Sequence, residues 1–239
     1  MGESLDPGAG RPVPSAPRVR VFPAAPDTGS ETVPPGAALP ERFGEAAGDA
    51  GFKPEPHPTP PLGGAFARAH VFVAAHEGGF QANPADPGNW TGGKCGVGVL
   101  RGTNWGISAA AYPDVDIRAL SRQQAAALYR RDYWNRVRGD DLPPPLALLV
   151  YDFAVNSGVN RAARTLQQVL GVAQDGAIGP VTLAAVRSRS GKGADLCAEY
   201  LAARLLFLTG LPTWRTFGKG WGKRLCTLPF QAMTMGDGP

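Results

Sequence analysis

The segment LALLVYDFAVNS at residues 146–157 is apolar on nearly every side of a helix. A helix with this pattern lies in a core, where other elements cover it all round. Three prolines at 143–145 break the chain just before it. Within it, Asp152 and Asn156 stand one helical turn apart, either as a buried hydrogen-bonded pair or as groups that line a cleft, and structure is the favoured role for Asp152. We therefore expect a bundle around a central helix.

Helical patterns flank the central helix on both sides. Residues 65–76 have the spacing of an amphipathic helix, with one face formed by Phe66, Ala69, Val73 and His76. The glycines at 78–79 must end that helix. Ser121 followed by Gln124 is a capping-box pattern that predicts a second helix. Further helices are predicted at about residues 160–170, 180–187 and 194–209, before an aromatic C-terminal stretch with Trp214, Phe217 and Trp221.

The chain between the first two predicted helices has a different composition. Residues 80–113 are rich in Gly, Asn, Asp and Pro, which predicts a long loop with room for a short β-hairpin. Loops of this length in compact domains are usually functional. The predicted fold class is therefore mainly α, a helical bundle with a small β or loop lobe beside the first helix.

The N-terminal quarter of the chain differs from the rest in composition and charge. Residues 1–62 contain 14 of the 24 prolines and none of the five tryptophans. Such a segment cannot bury enough surface to offset the entropy of ordering it, so we predict a disordered Pro/Gly-rich tail. The tail has five Lys and Arg against eight Asp and Glu, and the remaining 177 residues have 19 against 12. A basic body suits nucleic acid, an anionic membrane or the anionic cell-wall polymer, and composition does not choose among them.

Two glutamates follow residue 62, and they differ in setting. Glu199 lies in a helical run without an ion-pair partner four residues away, which indicates a solvated carboxylate on an exposed face. Glu77 comes at the end of the first predicted helix, where the negative pole of the helix dipole disfavours a charged carboxylate and raises its pKa. A general acid for glycoside cleavage needs such a raised pKa. An ordinary helix-end glutamate in water is the alternative.

Glycoside hydrolysis also needs a second polar group across the sugar. Asp86 lies nine residues after Glu77 in NPADPG, residues 83–88, where proline and glycine favour a tight turn. The turn could set the two carboxyl groups across a cleft. Equally, Asp86 could only make an Asx turn with its own backbone.

Five motifs occur in order along the chain: HEGGF at 76–80, NPADPG at 83–88, GTNWGIS at 102–108, LYRRDYW at 128–134 and VYDFAVNSG at 150–158. Together they resemble the glycoside hydrolase family 108 N-acetylmuramidases, which include phage endolysins and secretion-associated lysozymes. The resemblance covers most of residues 66–225. It implies a lysozyme-like α+β fold and hydrolysis of the β-1,4 bond between N-acetylmuramic acid and N-acetylglucosamine, without a cofactor or metal.

The resemblance also assigns catalytic residues. The family's catalytic glutamate falls on Glu77. Its order of glutamate, aspartate and threonine makes Asp86 and Thr103 the partners that position water. Because extra residues separate Gly88 from Thr103, Thr91 competes for the role of the threonine.

Several polar and aromatic side chains in or beside the presumed cleft are candidates for substrate binding. They are Trp90, Asn104, Trp105, Tyr133 and Asn156. The aromatic rings among them could stack on sugar faces. The other tryptophans occur at spacings more typical of a core, and they are Trp134, Trp214 and Trp221.

The segment LQQVLGVAQDGAIGPVTLAAV at 166–186 resembles the predicted peptidoglycan-binding segment that follows the catalytic region in this family. The matching residues are Leu166, Gln167, Asp175, Gly176, Gly179, Pro180 and Thr182. A helix–turn–helix packing unit without sugar contact is the alternative. The predicted organisation is a tail at 1–62, a lysozyme-like catalytic region at 63–158 and a helical peptidoglycan-binding-like region at 159–230.

Three other classes of function compete with this interpretation. A zinc peptidase is suggested by His76-Glu77, but the H-E-x-x-H motif fails where Phe80 stands in place of the second histidine. A nucleic-acid partner is not expected, because Lys and Arg are scattered and aromatics do not interleave with a basic stripe. A non-catalytic adaptor that binds cell wall, or a virion- or secretion-associated structural protein, is the main alternative.

The sequence also indicates how the protein reaches its substrate. No secretory signal is visible at the N-terminus, and no stretch approaches the ~20 apolar residues of a membrane span. We expect synthesis in the cytoplasm without stable membrane insertion, and action on the peptidoglycan of the periplasm after holin-, secretion- or virion-dependent delivery. The tail offers a binding segment for a protein partner.

Overall fold

The computed structural model describes residues 64–75 and 79–236. The fold is mainly helical with one small two-stranded sheet, which confirms the predicted fold class. The predictions on the tail and on Glu77 lie outside the described residues. Within the described ranges the α-helices are α1 Ala65–Ala74, α2 Arg122–Tyr129, α3 Pro144–Ser157, α4 Val159–Leu170, α5 Pro180–Ser188, α6 Gly193–Thr209 and α7 Trp214–Gly236.

Helix α3 forms the centre of the core. Residues 146–154 are all buried, and α1, α4, α6 and α7 pack around them. Each fully buried Leu or Phe side chain contributes roughly 1.5–3 kcal/mol. The helix begins at Pro144, two residues before the predicted start, because proline fits a first turn whose N–H groups need no helical partner.

A buried ion cluster joins α3 to two later helices. Asp152 Oδ2 accepts from Arg204 Nη1 of α6 at 2.6 Å, and Oδ1 accepts from Arg224 Nη2 of α7 at 2.6 Å. Burial alone would raise the pKa of Asp152, but attraction from the two guanidinium groups outweighs it and holds that pKa below its usual value. The structural role predicted for Asp152 is confirmed.

Helices α1 and α2 largely follow their sequence signals. Three of the four residues predicted for the apolar face of α1 are buried, namely Phe66, Ala69 and Val73, and His76 lies outside the described residues. The helix ends at Ala74, before the glycines. At the start of α2, Ser121 Oγ accepts from Gln124 N at 3.2 Å, and Gln124 Oε1 accepts from Ser121 N at 2.9 Å, which completes the capping box.

A hairpin inside the predicted loop forms the β lobe. Strand β1, Thr103–Asn104, pairs antiparallel with β2, Ile107–Ser108. Trp105 and Gly106 connect them, and both have positive φ, 52° and 75°. This two-residue turn matches the right-handed twist of paired strands, although the conformation is unusual for tryptophan.

The C-terminal half is helical, as predicted, but it contains a further element. The aromatic stretch after residue 209 forms the long helix α7. No helix was predicted for it from the sequence. Among the described helices, none combines the length and apolar character that crossing a membrane requires.

Candidate functional site

A hydrogen-bond network in the β lobe has Asn89 at its centre. This side chain is 0% exposed. Asn89 Oδ1 accepts from Thr103 Oγ1 at 2.7 Å and from Gln81 Nε2 at 3.1 Å. Asn89 Nδ2 donates to Gln81 Oε1 at 2.8 Å and to the Asn83 carbonyl at 2.9 Å. All four hydrogen-bonding positions of the amide are therefore used, so its orientation is fixed.

Asp86 joins this network from a tight turn. It caps the short 3-10 turn Pro87–Asn89, where Oδ1 accepts from Gly88 N at 2.9 Å. Its other oxygen, Oδ2, accepts from Gln81 Nε2 at 3.2 Å. Asp86 therefore makes the predicted Asx turn with one carboxylate oxygen. Its other oxygen contacts the Gln81 amide.

The two candidate threonines have different surroundings. Thr103 in β1 pairs with Gln81 through two backbone hydrogen bonds, at 2.8 and 2.9 Å. Its hydroxyl donates its one hydrogen to Asn89, so its remaining capacity is to accept. The Thr91 hydroxyl instead accepts from Val99 N at 2.9 Å within the neighbouring loop. The geometry therefore connects Thr103, rather than Thr91, with the network that contains Asp86.

Two of the predicted substrate-binding residues anchor the loop segment 117–120. Asn104 is buried, and its Nδ2 donates to the carbonyls of Ile117 and Leu120 at 3.1 and 3.3 Å. Trp105 Nε1 donates to the same Leu120 carbonyl at 2.9 Å, and the Arg122 guanidinium lies 4.4 Å from its ring centroid. One face of this ring is therefore already covered by a cation.

The other three predicted substrate-binding residues are dispersed. Trp90 is partly exposed, and its Nε1 donates to the Pro84 carbonyl at 2.9 Å, so its indole lies against the turn that carries Asp86. Asn156 is half-buried near the end of α3. Tyr133 is only 5% exposed and packs in the core, which does not fit the predicted stacking on sugars.

Sequence reasoning did not select Gln81 or Asn89. Asn and Gln in a loop rich in Gly and Pro are typical turn residues, and nothing in their local pattern distinguishes a buried hub from an exposed turn. The bridge between Gln81 and Thr103 brings together residues 22 positions apart in the chain. The Thr103 hydroxyl also donates to Asn89, so the amides of Gln81 and Asn89 meet beside this residue.

A groove of about 440 Å³ lies beside the bridge between Gln81 and Thr103. Phe80 and Ala82 line it, and the Arg118 guanidinium lies 4.3 Å from the Phe80 ring centroid. Because side chains alternate along extended chain, these two residues face away from Gln81. The network around Asn89 is therefore on the opposite face from this groove.

Glu199 has a partner that its helical spacing does not reveal. Arg189 Nη2, ten residues earlier, lies 2.9 Å from Glu199 Oε1, and both side chains are partly exposed. The partner comes from the end of α5, across the turn into α6. This ion pair supports a non-catalytic role for Glu199.

The motif at 166–186 is held together by Gln167, which is 1% exposed. Its Nε2 donates its two hydrogens to Asp175 Oδ1 at 2.6 Å and to the Ala177 carbonyl at 2.9 Å, and Thr182 Oγ1 lies 3.3 Å from the same nitrogen. Its Oε1 accepts from Gly176 N at 2.9 Å. The polar groups of the motif thus bind one another and fix the turn between α4 and α5.

Two successive regions of the chain match two models of known protein families. Residues 71–158 match the model described as glycosyl hydrolase 108, and residues 161–226 match a predicted peptidoglycan domain. A solved structure of SagA from Brucella abortus is 40% identical to this chain, with a TM-score of 0.60. The alignment covers 72% of this chain and 96% of the SagA chain. No curated protein matches the chain significantly.

Proposed function

Since the chain belongs to the glycosyl hydrolase 108 family, we propose that it is a muramidase that cleaves the β-1,4 bond between N-acetylmuramic acid and N-acetylglucosamine. Family membership makes it a glycoside hydrolase with a lysozyme-like function directed at peptidoglycan. We further propose which glycosidic bond is cleaved and which residues cleave it. Glu77 is the general acid, and Asp86 and Thr103 position the attacking water.

The network around Asn89 is the observation that carries the assignment of Asp86 and Thr103. Gln81 donates to Asp86 and to Asn89, and Asn89 accepts from Thr103. Three hydrogen bonds in series therefore hold a carboxylate and a hydroxyl in one rigid group. Rigid support of this kind is what a site that positions water requires.

The direction of the Thr103 hydrogen bond adds a chemical argument. A water molecule beside Thr103 can donate to the hydroxyl oxygen, because the hydroxyl hydrogen is already committed to Asn89. If the same water donates its second hydrogen to the Asp86 carboxylate, its lone pair is left for attack. Asp86 then acts as the base that receives the proton.

Glu77 completes the proposed reaction. It precedes Gln81 by four residues, and four residues of fully extended chain span at most about 14 Å. Glu77 donates its carboxyl proton to the glycosidic oxygen as the bond to the anomeric carbon breaks. The water held by Asp86 attacks that carbon from the opposite face and forms the new C–O bond. This arrangement predicts inversion at the anomeric carbon.

The test of this proposal is Glu77→Gln, which keeps the size of the side chain but removes its proton. Release of muramic-acid reducing ends from purified peptidoglycan should fall by ~10²–10⁴-fold, the range typical of removing a general acid. Glu199→Gln is the matched control. Since Glu199 lies in an ion pair with Arg189 at the α5–α6 turn, its substitution should leave turnover near the wild-type rate.

A folded Glu77→Gln protein with the wild-type rate would exclude Glu77 as the acid. Circular dichroism establishes that each variant is folded before the rates are compared. A different outcome, in which the wild type itself binds peptidoglycan but does not hydrolyse it, would make the non-catalytic adaptor the better account. In either case we propose the cell wall as the place of action, reached by secretion-, virion- or holin-dependent delivery.

A further inference from the structure

The region that matches a predicted peptidoglycan domain ends near the middle of α7. The turn within residues 166–186 is not an open ligand site, because Gln167 and Thr182 are buried and bonded to their own neighbours. A wall-binding surface in this region must therefore lie elsewhere. The start of α7 offers aromatic rings and cations together.

Three aromatic side chains lie along this part of α7, and all three are partly exposed: Trp214, Phe217 and Trp221. The Trp214 and Trp221 ring centroids are 6.0 Å apart, and those of Phe217 and Trp221 are also 6.0 Å apart. The spacing of Trp214 and Trp221 in the sequence is more typical of core residues. Their partial exposure corrects that expectation and leaves aromatic surface available to a ligand.

Trp214 rests on the backbone of its own helix and forms one wall of a shallow groove. The residues that line the groove are Trp214, Arg215, Gly218 and Lys219. We call these four residues the α7 shelf. A Cβ atom added at Gly218 would come within 2.8 Å of the Trp214 indole carbons. At Gly222, one turn later, an added Cβ would meet no atom within 4 Å. Gly218 thus lets the indole lie flat, whereas Gly222 borders open space.

The charge beside the shelf is positive and directed outward. Arg215, Lys219 and Lys223 recur every four residues, and all are exposed. Residues 211–236 contain no Asp or Glu. Within the part of the chain that the structure describes, these three cations form no ion pair, whereas Arg224 on the same helix binds Asp152.

We propose that the α7 shelf is a second peptidoglycan-binding site, distinct from the group of residues around Asn89. The Trp214 indole packs on the apolar face of a pyranose ring, and Arg215 and Lys219 pair with free carboxylates of the stem peptide. The polymer is the one assigned under the proposed function, and the choice of ligand rests on that assignment. The uncompensated positive charge complements the anionic wall polymer.

Contacts between helices connect the shelf to the catalytic region. The Arg224 guanidinium, one turn after Trp221, lies 5.8 Å from the ring centroid of Phe72 in the last turn of α1. Asp152 holds Arg224 to α3 as well. The first half of α7 is therefore fixed to the helix that precedes Glu77 in the chain. The shelf would retain a long glycan strand while one of its bonds is cleaved.

The test compares binding of full-length variants to purified sacculi by brief co-sedimentation in the cold. Trp214→Ala should weaken binding roughly two- to tenfold, the range typical of one aromatic contact. Gly218→Ala should also weaken it, because the new Cβ displaces the indole. Gly222→Ala is the matched control and should bind like wild type. Alanine favours helix over glycine at both positions, so a difference between the two variants reports on the indole.

Further measurements separate the contribution of the two cations to binding from that of the indole. The double variant Arg215→Gln with Lys219→Gln should bind less, and its binding should depend less on salt. Converting the free carboxylates of the sacculi to amides with a carbodiimide and ammonia should reduce wild-type binding and leave the double variant almost unaffected. Turnover of a short soluble muramyl oligosaccharide should stay unchanged in every shelf variant, while KM on sacculi rises.

Several outcomes would overturn the proposal. Equal sacculus binding by Gly218→Ala, Gly222→Ala and wild type would show that the indole shelf makes no contact with the wall. Loss of binding to anionic phospholipid vesicles, with sacculus binding intact, would identify a membrane surface instead. Because binding is measured before appreciable turnover, failure of the shelf leaves the Glu77→Gln test of hydrolysis unaffected, and the reverse also holds.

Discussion

Asp152→Asn removes the negative charge of the buried cluster while it preserves the size of the side chain. In the wild type the carboxylate is fully buried and accepts from Arg204 and Arg224. Arg204 is itself 1% exposed, so water cannot replace the lost partner. Removing one member of a buried ion pair costs about 3–5 kcal/mol, because the remaining charge stays buried without compensation. In a domain of this size, each kcal/mol lowers Tm by ~2–4 °C, which gives an expected loss of about 6–20 °C.

The pH dependence of this effect has a definite sign. The native pKa of Asp152 is depressed, so the carboxylate contributes its stability above its unfolded pKa of about 3.9. That contribution is lost as pH falls through the lower native pKa. The difference in Tm between wild type and variant should therefore be full at pH 7 and narrow in strongly acidic solution.

Thermal unfolding followed by circular dichroism at pH 7 measures the effect. Asp141→Asn is the control, because Asp141 pairs with Arg138 on the surface and its substitution should leave Tm almost unchanged. A Tm of Asp152→Asn within about 2 °C of wild type would refute the reasoning. It would mean that Arg204 and Arg224 are compensated in the folded protein without the Asp152 charge.

Two further predictions concern the site and the core. Thr103→Ala should lower turnover on peptidoglycan roughly tenfold or more, the equivalent of ~1.4 kcal/mol of lost transition-state stabilisation. The rates of Thr91→Ala and Thr103→Ser should stay near the wild-type rate. Equal rates in the two alanine variants would contradict the role of Thr103. Burial lowers the pKa of His70 to about 4, so the folded protein should lose stability as pH falls from its unfolded value of about 6.5 towards 4. His70→Asn should flatten that part of a plot of Tm against pH, and an unchanged slope would assign the effect to other groups.

Local patterns in the sequence predicted the helical elements well. The apolar run at 146–157 became the buried α3, and the capping box of Ser121 and Gln124 formed as expected. The capping box depends on neighbours within one helical turn, and the apolar run can be read from the chain alone because a helix that is apolar all round has to be buried. The same reasoning left residues 214–236 without an assigned helix, since their glycines and Pro229 weaken every local helical signal.

The candidate residues were likewise chosen from local motifs, and their roles in catalysis stay predictions. Motif order selected Asp86, Thr103 and Thr91, but it could not choose between the threonines. The two residues are twelve positions apart, and each is a plausible loop hydroxyl in the sequence. The fold separates them because Thr103 pairs with Gln81 in the β lobe, and Thr91 pairs with Val99.

The sequence by itself therefore determined the helical class, the central helix and the order of motifs that identify the family. The tertiary structure alone decided which polar groups meet. Arg204 and Arg224 lie 52 and 72 residues from Asp152, and Thr103 lies 14 residues from the amide of Asn89. Periodicity and capping are set by backbone geometry over a few residues, whereas these partners are selected by burial, where an unpaired polar group or charge costs more than it does in water.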